Sequence, residues 1–177
     1  AYRVPNLVTV NESGVARSNT VNDRVCEYAA SFDPTGDVLD CSYSVQRAAG
    51  GSRRLVAEES ENTSIGVVWD VTDSLTLTLD YWAIEKDKTI GLFGEENHTA
   101  LDLLNLLDAG TGSCPTVGGP SIGNPAVIRD DPWDPLSEEA ALYALAGICN
   151  TGEAARVNDL YANLDTRKVK GHDIGVY

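Results

Sequence analysis

The clearest regularity along the chain is an alternation of apolar and polar residues between positions 58 and 87. In the first run, one side carries Ile65, Val67, Trp69 and Val71. In the second run, one side carries Leu75, Leu77, Leu79 and Tyr81. A period of two residues is typical of a β-strand with one apolar face. Because the short polar turn at 72–74 separates the two runs, the segment predicts an antiparallel β-hairpin.

The two faces of this hairpin differ in character. One is built from Thr, Ser and Asp, whereas the apolar one has Trp69 near the turn and Tyr81 and Trp82 near its other end. Strands of transmembrane barrels turn alternate side chains to lipid and carry aromatic girdles at both interfaces. A hairpin on a soluble sheet has the same period, so the alternation leaves both structures open. In the membrane interpretation, the lipid-facing residues are Ile65, Val67, Trp69, Leu75, Leu77, Leu79 and Tyr81.

Three stretches of the chain resemble TonB-dependent outer-membrane receptors, in the order in which that family carries them. Tyr2–Leu7 is similar to the family's Phe-Arg-Ala-Pro-Asn-Leu signature. Residues 43–87 resemble its C-terminal barrel, where a Glu-Ser-x-Asn strand and an Asp-Tyr-Trp strand flank a short periplasmic turn. Asn163–Gly175 resembles the next descending strand. The chain departs from the pattern at Ser52–Ala57, where family members carry Asn-Pro before Leu and Pro before the Glu pair.

This resemblance implies an α+β fold in which antiparallel strands, a fragment of a transmembrane β-barrel, carry a small disulfide-stapled helical insertion. We expect a strand end and an extracellular loop in residues 1–57, the barrel hairpin in 58–88, the extracellular insertion in 89–157 and a barrel strand in 158–177. Whole receptors of the family are several times longer than 177 residues. The initial Ala and the absence of Met favour an excised piece of such a receptor.

The second insertion is too long to be a structureless loop and has helical patterns of its own. Residues 99–107 carry leucines at helical spacing, and Gly110 and Gly112 are expected to end that helix. Residues 137–148 form the better pattern, because Ser137 can cap the helix and Glu138 and Glu139 suit its positive end. Since both helices have wide apolar faces, we predict that they pack on each other.

The four cysteines, an even number, lie in segments rich in Gly, Pro, Asn and Asp and lack the Cys-x-x-Cys spacing of a zinc site. We interpret them as two disulfides formed in an oxidising compartment, with four reduced thiols as the alternative. Four cysteines permit three pairings. Nested loops favour Cys26 with Cys41 and Cys114 with Cys149, because each bond then closes one segment.

The net charge of −14 excludes one class of partner. Proteins that bind nucleic acid neutralise phosphates with Lys and Arg, and this chain has 13 basic residues against 27 acidic ones. We therefore expect no nucleic-acid partner. An acidic excess also keeps proteins soluble, so the charge by itself defines no site.

The sequence contains no recognisable catalytic motif. There is no HExxH, GxSxG, phosphate-binding glycine loop or EF-hand spacing, so we expect no catalysis and no cofactor. Glu95, Glu96 and His98 could bind a metal, but a solvated helix cap is the stronger interpretation of these residues. Asp130, Asp131 and Asp134 could bind calcium, but an exposed acidic turn is the stronger interpretation there. The candidate ligand contacts are exposed loop aromatics and an acid, namely Tyr28, Phe32, Tyr43, Trp133 and Asp134.

The family resemblance implies uptake of a scarce ligand, such as a metal chelate (siderophore), a vitamin or an oligosaccharide, at the bacterial outer membrane. The segment would supply extracellular ligand-binding loops and barrel strands, and TonB would act through a plug domain outside it. In isolation we expect the apolar stripe to be covered by the Leu-rich helix or by a second chain. Two other functions are considered, a secreted disulfide-stabilised binding domain and a carboxylate-pair hydrolase.

Overall fold

The computed structural model describes residues 1–11, 14–112, 114 and 122–177. These residues form an α+β structure with mostly antiparallel strands and few helices, as the sequence predicts. None of the described helices has the length and apolar character needed to cross a bilayer. In chain order, the elements are β1 (Tyr2–Arg3), α1 (Leu7–Asn11), β2 (Val15–Asn22), α2 (Arg24–Ala30), β3 (Ser42–Gly50), β4 (Glu58–Thr72), β5 (Leu75–Asp87), β6 (Thr89–Gly91), α3 (Glu95–Ala109), β7 (Val127–Arg129), α4 (Glu138–Leu145), β8 (Ala154–Leu160), β9 (Ala162–Leu164) and β10 (Arg167–Val176).

The chain divides into two compact units. The sheet unit comprises Ala1–Asn11, Ser52–Gly91 and Tyr161–Tyr177. The loop unit comprises Glu12–Gly51 and Leu92–Leu160. The two predicted extracellular insertions thus fold together into one unit instead of forming two separate structures.

The sheet unit is built around the predicted hairpin. Strands β4 and β5 pair antiparallel along almost their whole length, and β10 pairs antiparallel with the other edge of β5. The strand order is β1-β4-β5-β10, and the sheet is not closed on itself. A bulge between Asp70 and Thr72 leaves Val71 without a residue opposite it, so Val71 does not continue the apolar row as the alternation predicts. Strands β6 and β9 form a separate two-stranded ladder.

The loop unit contains a mixed sheet with the order β2-β3-β8-β7, in which β3 and β8 are parallel. Our interpretation of residues 1–57 as a strand end and a loop is therefore wrong for β2, α2 and β3. The sequence of β2, VARSNTVN, has no alternation of apolar and polar residues that would mark a strand. The strand forms because its backbone pairs with β3 over eight residues.

Both predicted helices are present, with different bounds. Helix α4 begins after Ser137, whose side-chain oxygen accepts a hydrogen bond from the Ala140 amide at 3.2 Å, as the capping pattern predicts. Helix α3 begins at Glu95, before its apolar pattern, since acidic residues suit the first turn. It ends at Gly110, which has a φ of 59°.

The two predicted helices pack through a third helix that the sequence did not reveal. Helix α2 packs on both α3 and α4. It contributes Val25 and Ala29 to a core that also contains Leu106, Tyr143, Ala146, Ile148 and Cys149. Both predicted disulfides are present, Cys26–Cys41 with Cα atoms 5.4 Å apart and Cys114–Cys149 with Cα atoms 5.2 Å apart.

Candidate functional site

The β4–β5–β10 ladder has one apolar face and one polar face. Its register places three successive cross-strand rows on the same side, which we call the apolar face: Trp69, Leu77 and Val176; Val67, Leu79 and Ile174; Ile65, Tyr81 and His172. Leu75 continues this side at the turn. At about 3.4 Å per residue, the stretch from Leu75 to Tyr81 is about 20 Å long. This apolar stretch has an aromatic residue at each end, and it is shorter than the apolar band, about 25 Å tall, of membrane barrels.

Most of this apolar face is exposed. Ile65 is 69%, Val67 62% and Leu79 51% accessible, whereas Leu75, Leu77 and Tyr81 are partly covered. Of the two covers that we expected, the Leu-rich helix does not cover the stripe, because that helix, α3, buries Leu106 in the core of the loop unit. Cover by a second chain stays a prediction. The apolar face is therefore available to an apolar surface outside the chain.

The opposite face of the same ladder, which we call the polar face, combines polar side chains with glycines. It carries Ser64, Asp70, Thr76, Thr78, Asp80 and Asp173, and its apolar members are Val68, Trp82, Ile84 and Val169. A Cβ atom on Gly171 would lie 2.6 Å from the Trp82 ring, and one on Gly66 would lie 1.9 Å from the Asp80 carboxylate. Side chains of β5 thus lean over glycines on both neighbouring strands, because only a residue without a side chain leaves that space.

The predicted ligand contacts in the first insertion lie at the surface of the loop unit. The rings of Tyr28 and Phe32 meet edge to face, with centroids 5.6 Å apart. Tyr28 is partly buried against the helical core, whereas Phe32 is 42% exposed. Phe32 is therefore the member of this pair with the larger accessible surface.

The predicted contacts in the second insertion have different surroundings. Trp133 packs partly buried against the same core, and its backbone N–H donates to the side-chain oxygen of Asn150 at 3.2 Å. Asp134 is exposed and accepts a hydrogen bond from the Leu136 amide at 2.9 Å. Trp133 thus contributes to packing, while the carboxylate of Asp134 is accessible to solvent.

Tyr43, the fifth predicted contact, belongs to a buried polar network. Its hydroxyl donates to Asp23 Oδ2 at 2.5 Å and accepts from the Ala154 amide at 2.8 Å. Burial, followed by the charge of Asp23, raises the pKa of the Tyr43 hydroxyl, which therefore stays protonated and donating. The structure brings Tyr28 and Trp133 against one core and places Tyr43 in another cluster, so the five residues do not form one pocket.

The centre of this network is Arg129, which pairs with two buried carboxylates. Its Nη1 and Nη2 contact Asp23 Oδ2 and Oδ1 at 2.7 and 2.9 Å, and its Nε contacts Asp102 Oδ2 at 2.8 Å. The side chains of Asp23, Asp102 and Arg129 are 0%, 1% and 6% accessible. Arg129 on β7 is thus joined by a bidentate contact to Asp23, which caps α2, and by a single contact to Asp102 on α3.

The two carboxylates respond differently to the same arginine. Burial raises the pKa of Asp23, but the hydrogen bonds and charge of Arg129 outweigh burial, so the pKa lies below its ordinary value. For Asp102, burial outweighs the attraction of Arg129, and the pKa is raised. Burial lowers the pKa of Arg129, yet its bonds to Asp23 and the charge of both carboxylates leave that pKa raised. The triad therefore holds a permanent cation between two acids of unequal strength.

A third buried carboxylate, Asp159, ties β8 to β3 and to the start of α3. Arg47 donates to Asp159 Oδ2 at 2.7 Å, and the backbone amides of Phe93 and Gly94 donate at 3.0 and 3.1 Å. Burial raises the pKa of Asp159, but hydrogen bonds from His98, then Arg47 and Gly94, lower it below its ordinary value. The group is thus held as a carboxylate.

His98 connects the two networks. The Asn124 side-chain amide donates to His98 Nδ1 at 3.1 Å, so in the neutral ring Nε2 carries the proton and donates to Asp159 Oδ1 at 3.2 Å. The Asn124 backbone amide donates to Asp102. This chain of polar groups crosses the loop unit, and every carboxylate in it already has protein donors.

Sequence reasoning missed this network for an identifiable reason. Asp102 lies within a leucine pattern and Arg129 within a short strand, and neither residue is part of a recognised motif. The metal alternatives also lose support, because Glu95, Glu96 and His98 are paired with Asn19, Arg24 and Asp159, respectively. No cluster of metal-ligating side chains occurs among the described residues.

Comparison of the chain with family models, curated proteins and solved structures gives no significant match.

Proposed function

We propose that this chain is part of a TonB-dependent outer-membrane receptor that takes up a scarce ligand, such as a siderophore, a vitamin or an oligosaccharide. In this proposal the sheet unit supplies strands of the transmembrane barrel, and the loop unit supplies part of the extracellular ligand-binding surface. The observation that carries the proposal is the exposed apolar face of β4, β5 and β10, backed by a polar face of the same three strands.

The proposed membrane orientation follows from the connections. The turn between β4 and β5 is short, as periplasmic turns of such barrels are, whereas the opposite end of the sheet leads into the loop unit. Two disulfides and a separate core stabilise that unit, which suits the oxidising space outside the cell. The apolar face would contact acyl chains, and the polar face would line the barrel interior.

The segment would perform no chemistry on the ligand in this proposal. Its buried acids are bound by protein donors, and its candidate contacts, led by Phe32 and Asp134, suit binding at the surface. Transport would be powered by TonB acting on a plug domain, a partner that the family resemblance implies.

The loop unit also favours a second candidate, a secreted disulfide-stabilised binding domain. It has its own core, two disulfides and a sheet independent of the hairpin, as a stand-alone binding module would. The two candidates differ in one respect that can be measured, namely whether the apolar face of the sheet unit contacts lipid.

Val67 and Val68 provide a matched pair for this measurement. They are adjacent on β4, 62% and 69% exposed, and their side chains lie on opposite faces of the sheet. In the complete gene product we expect Val67→Arg to destabilise the folded barrel by about 2–4 kcal/mol, because an arginine would face lipid, and Val68→Arg to cost much less. Outer-membrane assembly is measured by heat-modifiable electrophoretic mobility and urea titration. Equal effects of the two substitutions, or a water-soluble gene product, would overturn the proposal.

A further inference from the structure

Strand β2 is an open edge of the sheet in the loop unit. It is the end strand in the order β2-β3-β8-β7, and its residues Val15–Thr20 are all exposed. Proteins usually protect such edges with proline, lysine, a bulge or a very short strand. The eight residues of β2, VARSNTVN, include neither proline nor lysine, and they pair with β3 without a register shift. The strand is therefore a template for the addition of one more strand.

The register of the β2–β3 ladder shows which backbone groups of β2 face outward. The Asp23 N–H donates to the Cys41 carbonyl at 2.9 Å, and this pair continues the register of the two strands. Because bonded and non-bonded pairs alternate along an antiparallel ladder, the odd-numbered residues of β2 bond to β3. The even-numbered residues Ala16, Ser18 and Thr20 therefore direct their N–H and C=O groups away from β3. No residue that the structure describes forms a hydrogen bond with these groups.

A cavity of about 440 Å³ lies beside this edge. It is lined by residues 19–21 of β2 and by residues 94–97 at the start of α3. Among the described residues of its lining, Glu95 and Glu96 are charged and none is basic. Their side chains are 12% and 55% accessible, and arginines outside the lining contact them at 3.5 and 3.3 Å. The cavity thus presents carboxylates but no cation of its own.

We propose that β2 binds an extended basic peptide, which adds one strand to the sheet of the loop unit. Main-chain hydrogen bonds to Ala16, Ser18 and Thr20 hold the peptide, as in other complexes formed by strand addition. Alternate side chains of the peptide lie on the Asn19 face of the sheet, and a Lys or Arg among them reaches the cavity beside Glu96. The inference goes beyond the proposed function and depends on the loop unit alone.

Charge favours a basic peptide over other occupants of an open edge. A second copy of this chain carries the same net charge of −14, so two copies repel each other. A neutral or acidic peptide brings no cation to Glu95 and Glu96. A basic peptide gains the backbone hydrogen bonds and is also attracted to these carboxylates, which speeds its association.

The test measures peptide binding to the complete gene product by fluorescence anisotropy. The probe is a labelled peptide of alternating Thr and Lys that has eight residues, as β2 has. One control peptide has Glu in place of Lys, and another has all its amides N-methylated, which removes its backbone donors and keeps its charge. We expect the Lys peptide to bind about tenfold more tightly than the Glu peptide, and the N-methylated peptide not to bind.

Two substitutions at one position separate the backbone of the edge from its side chain. Ser18→Pro removes an outward N–H, a change that edge strands tolerate, and it should weaken the Lys peptide by at least about fivefold. Ser18→Ala is the matched control, because it removes the hydroxyl but keeps the N–H, and it should leave the affinity unchanged. Hydrogen exchange of residues 15–22 in the unsubstituted protein provides a second measurement, which the Lys peptide should slow.

Several outcomes would show that the peptide site is wrong. They are no binding of the Lys peptide, equal binding of the Glu or the N-methylated peptide, and equal effects of Ser18→Pro and Ser18→Ala. Slow exchange of residues 15–22 before any peptide is added would also exclude it, because a second copy or the rest of the gene product then already pairs with the edge. None of these results bears on the receptor proposal, which is tested by Val67→Arg and Val68→Arg.

Discussion

At the residue scale, the loop unit contains buried carboxylates, and each of them accepts hydrogen bonds from protein donors. An unpaired charge in an apolar interior is strongly destabilising, and removing one partner of a buried pair typically costs about 3–5 kcal/mol. Asp23 and Asp159 have enough donors to lower their pKa values, whereas Asp102 shares Arg129 with Asp23 and has a raised pKa. A lowered pKa gives a contribution to stability that is lost as pH falls, whereas the raised pKa of Asp102 gives one that is lost as pH rises.

We expect Asp159→Asn to reduce the free energy of unfolding by about 2–3 kcal/mol near neutral pH, because Arg47 and His98 lose a charged acceptor. The folded-state pKa of Asp159 is lowered, so its contribution is complete above the unfolded value of 3.8 and disappears as pH falls through the folded value. The difference between wild type and variant should therefore shrink toward about pH 3.

Urea denaturation of the chain, followed by circular dichroism between neutral pH and about pH 3, measures this difference. The exposed Asp108 of α3 provides the control, since Asp108→Asn removes a carboxylate without removing a buried partner. If the loss of unfolding free energy caused by Asp159→Asn stays constant with pH, the assignment of a stabilising charge to this group is wrong.

At the element scale, the sequence predicted those elements whose apolar and polar residues follow a local pattern. The hairpin was recognisable because each strand keeps a period of two, and α4 because Ser137 and two glutamates precede its apolar residues. Strand β2 was missed because its sequence, VARSNTVN, has no alternation of apolar and polar residues. Its pairing with β3 depends on residues far away in the sequence, which a local pattern does not show.

Helix α3 shows how a correct helix prediction can mislead about its faces. Leu104 is 62% exposed, while Thr99 and Asp102 on the same helix are at most 1% accessible. The leucine pattern predicted the helix, and the buried side does carry Leu106, with Leu103 packed against the core. The same side also buries Asp102, which binds Arg129 and Asn124, so the leucines alone do not define the buried face.

We expect the two disulfides to stabilise the loop unit unequally. Cys26 and Cys41 are separated by 15 residues and Cys114 and Cys149 by 35, so the chain-entropy estimate gives about 3 and about 4 kcal/mol. The double variant Cys114→Ser, Cys149→Ser should therefore unfold at a lower urea concentration than the double variant Cys26→Ser, Cys41→Ser.

The helical circular dichroism signal and protease resistance of the two variants provide the measurement, in one buffer and at equal protein concentration. The fully reduced wild type should be less stable than either, since the bonds close different loops of one unit. Helicity and protease resistance that survive reduction unchanged would show that the core does not need the bonds.

At the scale of the whole molecule, the sequence located the loops that carry candidate contacts but could not rank the residues within them. Aromatic residues in a loop serve either packing or binding, and the choice depends on neighbours from distant segments. Here Trp133 and Tyr28 pack on a core assembled from both insertions, and Tyr43 bonds Asp23. Phe32 and Asp134 remain accessible.

If the receptor proposal holds, we expect Phe32→Ala and Asp134→Asn to lower ligand uptake by the complete gene product. They should change the free energy of unfolding by no more than about 0.5 kcal/mol, as is usual for surface positions. Trp133→Ala should instead destabilise the loop unit by more than about 1 kcal/mol, because it removes a large ring packed on Tyr143 and its neighbours.

Uptake and unfolding are measured on the same variants, since a loss of uptake that tracks stability reports folding and not binding. Leu136→Ala is the matched surface control, because Leu136 is 96% exposed and only two residues from Asp134. If Phe32→Ala and Asp134→Asn leave uptake at the level of this control, the ligand is bound elsewhere on the receptor, and the contacts predicted for this segment are wrong.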